Sequence, residues 1–264
     1  MPEGDSIHNL AARLSRRLLG REVRAFEAHP IDDAVAATLV GRTIVGIEAR
    51  GKNLLVRFDD GRALHVHLRM LGRVRFERPR SSFYLPRKMR PQLRLAVDGA
   101  AIVGSRIPVL RLLRAGTASR ASDLQRLGPD LLDPAYDEDE AVRRLLDLGT
   151  MPVGEALLLQ RAVAGIGNIY KSETLFLEKV DPRVPVARIG ASRLRAIVRR
   201  AAALMRMNLG DGPRVTRPPM SGARFWVYGR RGRPCFTCGT AIAMIRQGAP
   251  PGRSTYHCPK CQTG

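Results

Sequence analysis

Two short stretches near the end of the chain, CFTC at 235–238 and CPKC at 258–261, decide how its last segment folds. Nineteen residues separate the two pairs, a spacing typical of a zinc ribbon in which two thiolate knuckles close a tetrahedral site. Disulfides are the alternative use of such pairs, but they belong mainly to secreted proteins, and the first twenty residues show no apolar signal segment. The sequence therefore predicts one structural Zn²⁺ ion, with the ligands Cys235, Cys238, Cys258 and Cys261.

The segment that carries these cysteines, 229–264, is too short for an apolar core of its own. We expect it to be a zinc finger in which the stretch between the knuckles forms a hairpin, with Arg253 near the turn. Upstream, 151–228 has the apolar spacing of helices, and 116–150 reads as a linker and the first helix of the same C-terminal domain. The predicted helices lie at 141–148, 154–162, 168–179 and 192–207.

In the first part of the chain, 1–115, the apolar residues recur at a shorter spacing than in the helical segments, except in one leading helix. Asp5 or Ser6 is suited to cap a helix that stops near Gly20. Alternating apolar positions then predict antiparallel strands, with turns at 59–61 and 98–99. The expected fold class is α+β, with an N-terminal antiparallel β-sandwich and a leading helix. The predicted strands lie at 43–49, 53–58, 62–68, 93–98 and 101–103.

The chain of 264 residues is strongly basic, with 45 Lys and Arg against 24 Asp and Glu, a net charge of +21. Only the block 116–150 carries a net negative charge, and we expect its acidic stretch to face away from a bound anion. An excess of this size favours a polyanionic partner such as nucleic acid. A GC-rich coding sequence accounts for much of the excess of Arg over Lys, but not for the net charge. No apolar run is long enough to span a bilayer, so the expected location is the bacterial cytosol.

The opening MPEGD places a proline behind the initiator methionine. A small second residue usually permits removal of Met1, which would give Pro2 a free secondary amine. Such an amine titrates near ~8, is partly neutral at pH 7 and can attack a sugar carbon to form a cationic iminium. Glu3 beside it could protonate the sugar ring oxygen. Taken alone, this pair has a simpler reading as an ordinary solvated terminus.

The motifs resemble a known family when they are taken together. PEGD at 2–5, GKNLL at 51–55, GIGNIY at 165–170 and the terminal four-cysteine ribbon follow the order of the formamidopyrimidine-DNA glycosylase/endonuclease VIII family. The PEGD opening looks like the endonuclease VIII branch. The resemblance implies a bifunctional DNA glycosylase and AP lyase of base-excision repair, with a helix–two-turns–helix domain at 151–228.

The resemblance assigns catalytic roles to four residues. Pro2 would be the Schiff-base nucleophile, Glu3 the general acid and Lys52 the proton donor in β-elimination. Arg253 would clamp the phosphates beside the lesion and assist δ-elimination. Lys52 could instead be an ordinary surface lysine, but a side chain with a tunable pKa stands out where arginine fills most basic positions.

Further residues would contact DNA. Asn168 would begin the second helix of the helix–two-turns–helix, whose free N–H groups suit phosphate, with Lys171 one turn further on. Arg126 matches a DNA-contacting arginine, with a solvated side chain as the alternative. The void left by a flipped base would be filled by Met70, together with Arg69 or Leu71, although Met70 could equally be a core residue. The three wedge candidates follow His67 and Leu68 in the sequence HLRMLG at 67–72.

The lesion is expected to be an oxidised pyrimidine, because the segment 104–114 lacks the wedge motif of the purine-lesion branch. Two alternatives from other classes are a non-catalytic zinc-ribbon module that recognises distorted DNA, and a scaffold in a repair complex. The expected partner is damaged DNA, the expected oligomeric state is a monomer, and no membrane is expected to take part.

Overall fold

The computed structural model describes residues 2–77, 91–116, 122–218 and 222–263. The chain folds into two compact units. Unit 1 comprises Met1–Pro2 and Ser6–Gln125, and unit 2 comprises Glu3–Asp5 and Arg126–Gly264. Three residues near the N-terminus thus belong to the unit that the second half of the chain builds.

Unit 1 is an antiparallel β-structure behind a leading helix, as the sequence predicts. One four-stranded sheet has the order β1-β6-β7-β5 and the other has the order β2-β3-β4-β8. Both faces that meet are apolar, and the core includes Leu14, Phe58 and Leu95. The elements are α1 (Gly4–Leu18), β1 (Val23–Ala28), α2 (Asp33–Ala37), β2 (Ile44–Arg50), β3 (Asn53–Phe58), β4 (Ala63–His67), β5 (Arg73–Phe76), β6 (Leu93–Val97), β7 (Ala100–Ser105), β8 (Val109–Leu113) and α3 (Ser122–Gln125).

The leading helix corrects one expectation. The apolar spacing does bury one face, including Ile7, Leu14 and Leu18. The helix, however, begins at Gly4, so that neither Asp5 nor Ser6 is its N-cap. The Asp5 carboxylate instead forms an ion pair within unit 2.

Three strands were not predicted: β1, β5 and β8. The alternation of β1 is broken by a register shift between Val23 and Ala25. β5 has only four residues, two of which are arginines. β8 lies at the end of its sheet beside β4 and lacks regular alternation in burial. Such short or edge strands carry too little periodicity to be recognised in isolation.

Unit 2 is helical and ends in a small hairpin. Its core is apolar and includes Tyr170, Leu175 and Ile197. A 3₁₀ turn, Val186–Arg188, precedes the last helix. The elements are α4 (Glu138–Leu146), α5 (Val153–Ala156), α6 (Asn168–Leu177), α7 (Ala191–Met207), β9 (Ala243–Gln247) and β10 (Arg253–His257).

The helix predicted over 154–162 is wrong in its length, since α5 ends at Ala156. The chain beyond it turns so that its backbone can pair with an earlier segment. Gln160 accepts a hydrogen bond from the N–H of Gly128 at 2.8 Å, and the N–H of Ala164 donates to Pro129 at 2.9 Å. A Cβ on Gly128 would lie 2.3 Å from a backbone oxygen, so only glycine permits this approach. Tertiary pairing therefore overrides the local helical pattern.

The acidic stretch is neutralised within unit 2. Glu138 at the start of α4 pairs with Arg195 and Arg199 of α7, at 3.1 and 2.8 Å. Glu140 pairs with Arg144 of its own helix at 2.6 Å. Glu138 therefore joins α4 to α7, and Glu140 supports α4 itself.

The terminal hairpin of β9 and β10 shares its core with α6, as its length requires. Phe176 of α6 stacks on Trp226 with the ring centroids 5.8 Å apart. The same small cluster contains Val227, Ile242 and Cys258. Within the described part of the chain, no helix has the length and apolar character needed to cross a membrane.

Candidate functional site

Glu3 has an unusual setting for an acidic side chain near a chain terminus. It is fully buried, and its carboxylate accepts hydrogen bonds from three backbone N–H groups of unit 2. The donors are Gly167 at 3.2 Å, Ile169 at 2.9 Å and Tyr170 at 3.3 Å. These groups form the N-terminus of α6, where the helix dipole favours a negative charge. The expectation that they would be free to bind phosphate is therefore wrong.

Two glycines make this close approach possible. A Cβ on Gly167 would lie 2.4 Å from the carboxyl carbon of Glu3. Gly165 has a φ of 100° and accepts a 2.9 Å hydrogen bond from the N–H of Gly4. The GIGN sequence thus serves to dock residues 3–5 of the chain.

Asp5 is docked by an ion pair that the sequence did not reveal. Its carboxylate contacts the Arg214 guanidinium at 2.5 and 2.7 Å, and both side chains are largely buried. Burial opposes the charge of Arg214, but hydrogen bonds and the charge of Asp5 outweigh it and raise the pKa of the guanidinium. Burial and the nearby Asp5 charge raise the pKa of Tyr170, whose ring lies 5.2 Å from the guanidinium carbon.

Pro2 and Lys52 both belong to unit 1. Pro2 is half-buried, and Met1 lies outside the described residues. Lys52, also half-buried, sits in the tight turn between β2 and β3. Asn53 closes this turn by donating to the Arg50 carbonyl at 3.0 Å, and its Oδ1 lies 2.9 Å from a ring nitrogen of buried His65.

The predicted wedge lies on the turn between β4 and β5. Met70 is 56% exposed and Leu71 is 64% exposed, so the alternative that Met70 belongs to the core is wrong. Arg69 has a φ of 45° and is also exposed. The turn is closed by a 2.9 Å hydrogen bond from Gly72 to Leu68. An exposed apolar pair on a tight turn is available to enter a base stack.

The other DNA-contact candidates differ in exposure. Arg126 is exposed, just before the close approach at Gly128. Arg253 is exposed as the first residue of β10, near the hairpin turn as expected. Asn168 begins α6 and is mostly buried. Lys171 is fully buried, which is at odds with a direct contact to DNA.

The four cysteines converge on one point. All their Sγ atoms lie within 4.8 Å of one another, with Cys235 and Cys261 at 3.9 Å and Cys238 and Cys258 at 3.4 Å. Tetrahedral ligands at a Zn–S distance of about 2.3 Å are roughly 3.8 Å apart, so the cluster fits a metal ion of this size. Hydrogen bonds from Thr240 lower the pKa of the Cys238 thiol to about 6, whereas burial raises the pKa of the Cys258 and Cys261 thiols.

Sequence reasoning missed Glu173, a buried acid of α6. Its carboxylate accepts from Thr216 and from the backbone N–H groups of Trp226, Val227 and Tyr228, the last three at 2.7–2.9 Å. Burial raises its pKa despite these donors. The only sequence feature that could have indicated it is that Glu173 is the single acidic residue of α6. Its role is to fix the segment that leads into the zinc-finger hairpin.

Comparison with known proteins agrees with this architecture. Family models for the formamidopyrimidine-DNA glycosylase N-terminal domain and H2TH domain match residues 1–107 and 127–217. The chain is 38% identical to a probable endonuclease 8 2 of Streptomyces coelicolor, covering 100% of this chain and 95% of the relative. It is 35% identical to the DNA-(apurinic or apyrimidinic site) lyase Nei2 of Mycolicibacterium smegmatis, covering 100% and 99%.

Solved structures share the fold over the full length. A structure of MutM in complex with DNA containing carbocyclic 8-oxo-G superposes with a TM-score of 0.84 at 25% identity, covering 100% of both chains. The Lactococcus lactis formamidopyrimidine-DNA glycosylase, non-covalently bound to DNA with an AP site, gives 0.82 at 24% identity, covering 99% of this chain and 100% of that one. Unit 1 and unit 2 each have their counterpart in this fold.

Proposed function

The chain belongs to the formamidopyrimidine-DNA glycosylase/endonuclease VIII family of DNA glycosylases and AP lyases, and we propose that it removes oxidised pyrimidines through a Schiff base on Pro2. The observation that carries this proposal is the carboxylate of Glu3, next to Pro2 in the chain and held by three backbone N–H groups. A carboxylate held beside an N-terminal proline can take up the proton that the nitrogen releases and pass it on to the sugar.

The proposed reaction begins with the neutral nitrogen of Pro2, after removal of Met1. The nitrogen forms a bond to C1′ of the damaged nucleotide as the bond between C1′ and the base breaks. The deoxyribose ring then opens, its oxygen takes a proton, and a cationic iminium remains between Pro2 and C1′. A proton leaves C2′, its electron pair moves into the chain of the sugar, and the 3′ phosphate departs, which nicks the strand.

Glu3 supplies the proton to the ring oxygen in this proposal. Lys52 donates a proton during β-elimination, and the Asn53–His65 contact keeps its turn in place. Arg253 clamps the phosphates beside the lesion and assists the second elimination. Lysine suits a proton donor because its pKa can be tuned, whereas arginine remains charged.

We assign DNA binding to four exposed side chains and to Asn168 at the start of α6. Arg69, Met70 and Leu71 are proposed to fill the gap left by the flipped base. Arg126 and Asn168 are proposed to bind the backbone, helped by the net charge of +21. The burial of Lys171 removes it from this set.

The four cysteines are proposed to bind one Zn²⁺ ion, which supplies structure and no chemistry to the reaction. Closing the ribbon would hold β10, and hence Arg253, in place. We further propose that the enzyme acts as a monomer in the cytoplasm, that 116–150 forms a linker and the first helix of the C-terminal domain, and that 151–228 and 229–264 form the helix–two-turns–helix and the zinc finger of that domain.

The preference for pyrimidines rests on sequence features. The PEGD opening is that of the endonuclease VIII branch, and the segment 104–114 lacks the wedge motif of the purine branch. Two relatives with full-length matches carry the names endonuclease 8 2 and Nei2. A panel of duplexes containing single oxidised pyrimidines or purines, cleaved in parallel, tests this choice by relative kcat/KM.

Borohydride trapping on the same panel tests the nucleophile. The wild-type chain is expected to give a covalent adduct on lesion-bearing and abasic DNA, and the Pro2→Gly variant less, because a primary amine forms an imine that is not permanently cationic. In a chain produced with Met1 retained, the Pro2 nitrogen is an amide that cannot form the iminium, so trapping at Pro2 should be lost. Intact mass reports Met1 loss and bound zinc.

Two results would overturn the catalytic proposal. A protein that binds abasic analogues without trapping or nicking is a non-catalytic module that recognises distorted DNA. A protein that binds all duplexes equally, with no lesion preference, is a scaffold. Undiminished nicking with Met1 retained would show that another nucleophile is used.

A further inference from the structure

Lys171 is a charged side chain with no exposed surface, on the second turn of α6. An ammonium in such a place is costly unless its protons are paired. Three acceptors surround it: Thr255 Oγ1 at 2.6 Å, the Ser254 carbonyl at 3.2 Å and Asn168 Oδ1 at 3.4 Å. One ammonium thus joins the start of α6 to β10.

Further hydrogen bonds support this contact between α6 and β10. Ser172 donates to the Asn168 carbonyl at 2.9 Å and accepts from the N–H of Tyr256 at 3.2 Å. Thr255 Oγ1 also donates to Gln247 Oε1 at 2.7 Å. Lys171 is therefore part of a buried polar network that spans both strands of the hairpin.

The hydrogen bond from the Lys171 ammonium determines which end of the Asn168 amide faces it. Because Nζ can only donate, it faces the carbonyl oxygen of the amide, Oδ1. The Nδ2 end of the amide then points away from the ammonium, as a donor. An amide N–H₂ donor can hydrogen-bond a DNA phosphate oxygen. The same ammonium holds Ser254, the neighbour of Arg253.

We propose that Lys171 is a positioning residue that orients Asn168 and β10 for binding the DNA backbone, without touching DNA. This inference rests on the roles proposed for Asn168 and Arg253. Three acceptors meet one donor group at this position, so an apolar replacement would leave all three without it. The effect should reach DNA through Asn168.

A double-mutant cycle on affinity for a duplex with a tetrahydrofuran abasic analogue tests this coupling. Lys171→Met and Asn168→Ala are each expected to weaken binding about ten-fold, and the double variant no more than the stronger single change. Lys179→Met, an exposed lysine just after the same helix, is the matched control for loss of one charge. It should weaken binding much less.

Salt dependence separates positioning from direct contact. Losing a phosphate-bound lysine lowers the slope of log Kd against log salt by about 0.9, whereas losing an oriented neutral amide leaves it unchanged. Lys171→Met should therefore keep the wild-type slope.

Additive effects in the cycle, a lower slope, or no effect of Asn168→Ala would each overturn the proposal. Absence of any adduct from the wild type would instead overturn the proposed catalytic function, while the binding cycle could still be read. If Lys171→Met does not fold or loses zinc, Thr255→Val takes its place. This change removes the nearest acceptor of the ammonium, and it is combined with Asn168→Ala in the same double-mutant cycle.

Discussion

The carboxylate of Glu3 accepts a 2.9 Å hydrogen bond from the backbone N–H of Ile169, at the N-terminus of α6. The two residues are 166 positions apart in the chain. A helix start that would otherwise attract an external anion is thus capped by the proposed catalytic acid. Substitutions at the helix start and at Glu3 can each test whether this contact is needed.

Gly167→Ala tests the contact from the helix side. The new Cβ would lie 2.4 Å from the Glu3 carboxyl carbon, so the carboxylate must move. The φ of −123° suits alanine, and backbone strain therefore does not contribute. We expect base removal to fall at least about ten-fold, measured by single-turnover release of the oxidised base.

Gly212→Ala is the matched control, because its Cβ would meet nothing within 4 Å and its φ is not positive. It should release the base at the wild-type rate. Wild-type activity in Gly167→Ala would mean that the position of Glu3 is not critical.

Glu3→Gln tests the contact from the acid side. The amide keeps the shape but cannot donate a proton as a carboxylic acid does, and its own N–H₂ opposes backbone donors. We expect base removal to fall about 10²–10⁴-fold and cleavage of preformed abasic DNA to fall much less. Single-turnover assays on both substrates measure the two steps, with Glu27→Gln, an exposed acid, as the control. Equal loss of both steps would argue against the role of Glu3 as the ring-opening acid.

Removing one partner of the buried Asp5–Arg214 ion pair should destabilise the fold more than removing both, because the remaining charge then lies buried without its counter-ion. Arg214→Met leaves a carboxylate that is 4% exposed without its partner, and should cost about 3–5 kcal/mol in the free energy of unfolding. Adding Asp5→Leu should recover part of that loss, because the stranded charge is then gone. Urea denaturation measures both.

A pair with one exposed partner gives the comparison. Arg183 is 62% exposed beside an Asp181 side chain that is 11% exposed, so solvent screens the guanidinium and Arg183→Met should cost less than Arg214→Met. A loss as small in Arg214→Met would show that residues 3–5 are not anchored by this pair.

The sequence predicted what local patterns determine. The predicted strand at 53–58 coincides with β3, and the turn after it holds Gly61 at a φ of 81°. The cysteine spacing likewise anticipated the metal-sized cluster. Both features depend on residues that are close in the chain.

The missed features join distant residues. The partner of Asp5 lies 209 positions away, and the donors to Glu3 lie 164–167 positions away. Nothing in the local sequence distinguishes a buried acid that caps another helix from a solvated one. Lys171 was misread for the same reason, since its acceptors lie 83 and 84 residues further on.

Asp60 should make unit 1 sensitive to acid. Hydrogen bonds from the Arg62 side chain, at 2.6–2.7 Å, hold the pKa of this carboxyl below its ordinary value. Because the folded pKa is depressed, the stabilisation is complete above the unfolded pKa of about 3.9 and is lost as the pH falls through the folded pKa. Asp60→Asn should therefore cost about 1 kcal/mol at pH 7 and nothing below the folded pKa.

Urea midpoints across this range measure the effect, with the exposed Asp33→Asn as control. A cost for Asp60→Asn that does not change with pH would show that packing, and not the charge, stabilises the turn.

Removing the metal should disable unit 2 selectively. The cluster around the cysteines has few buried apolar residues, so the hairpin of β9 and β10 depends on the metal for its stability. A strong zinc chelator, or Cys258→Ser, should abolish nicking of abasic DNA because Arg253 and the hairpin are no longer held. The urea midpoint of unit 1, whose core lies elsewhere, should stay unchanged. Metal analysis should find one zinc ion per chain before treatment. Nicking that persists after the zinc is completely removed would contradict its proposed structural role.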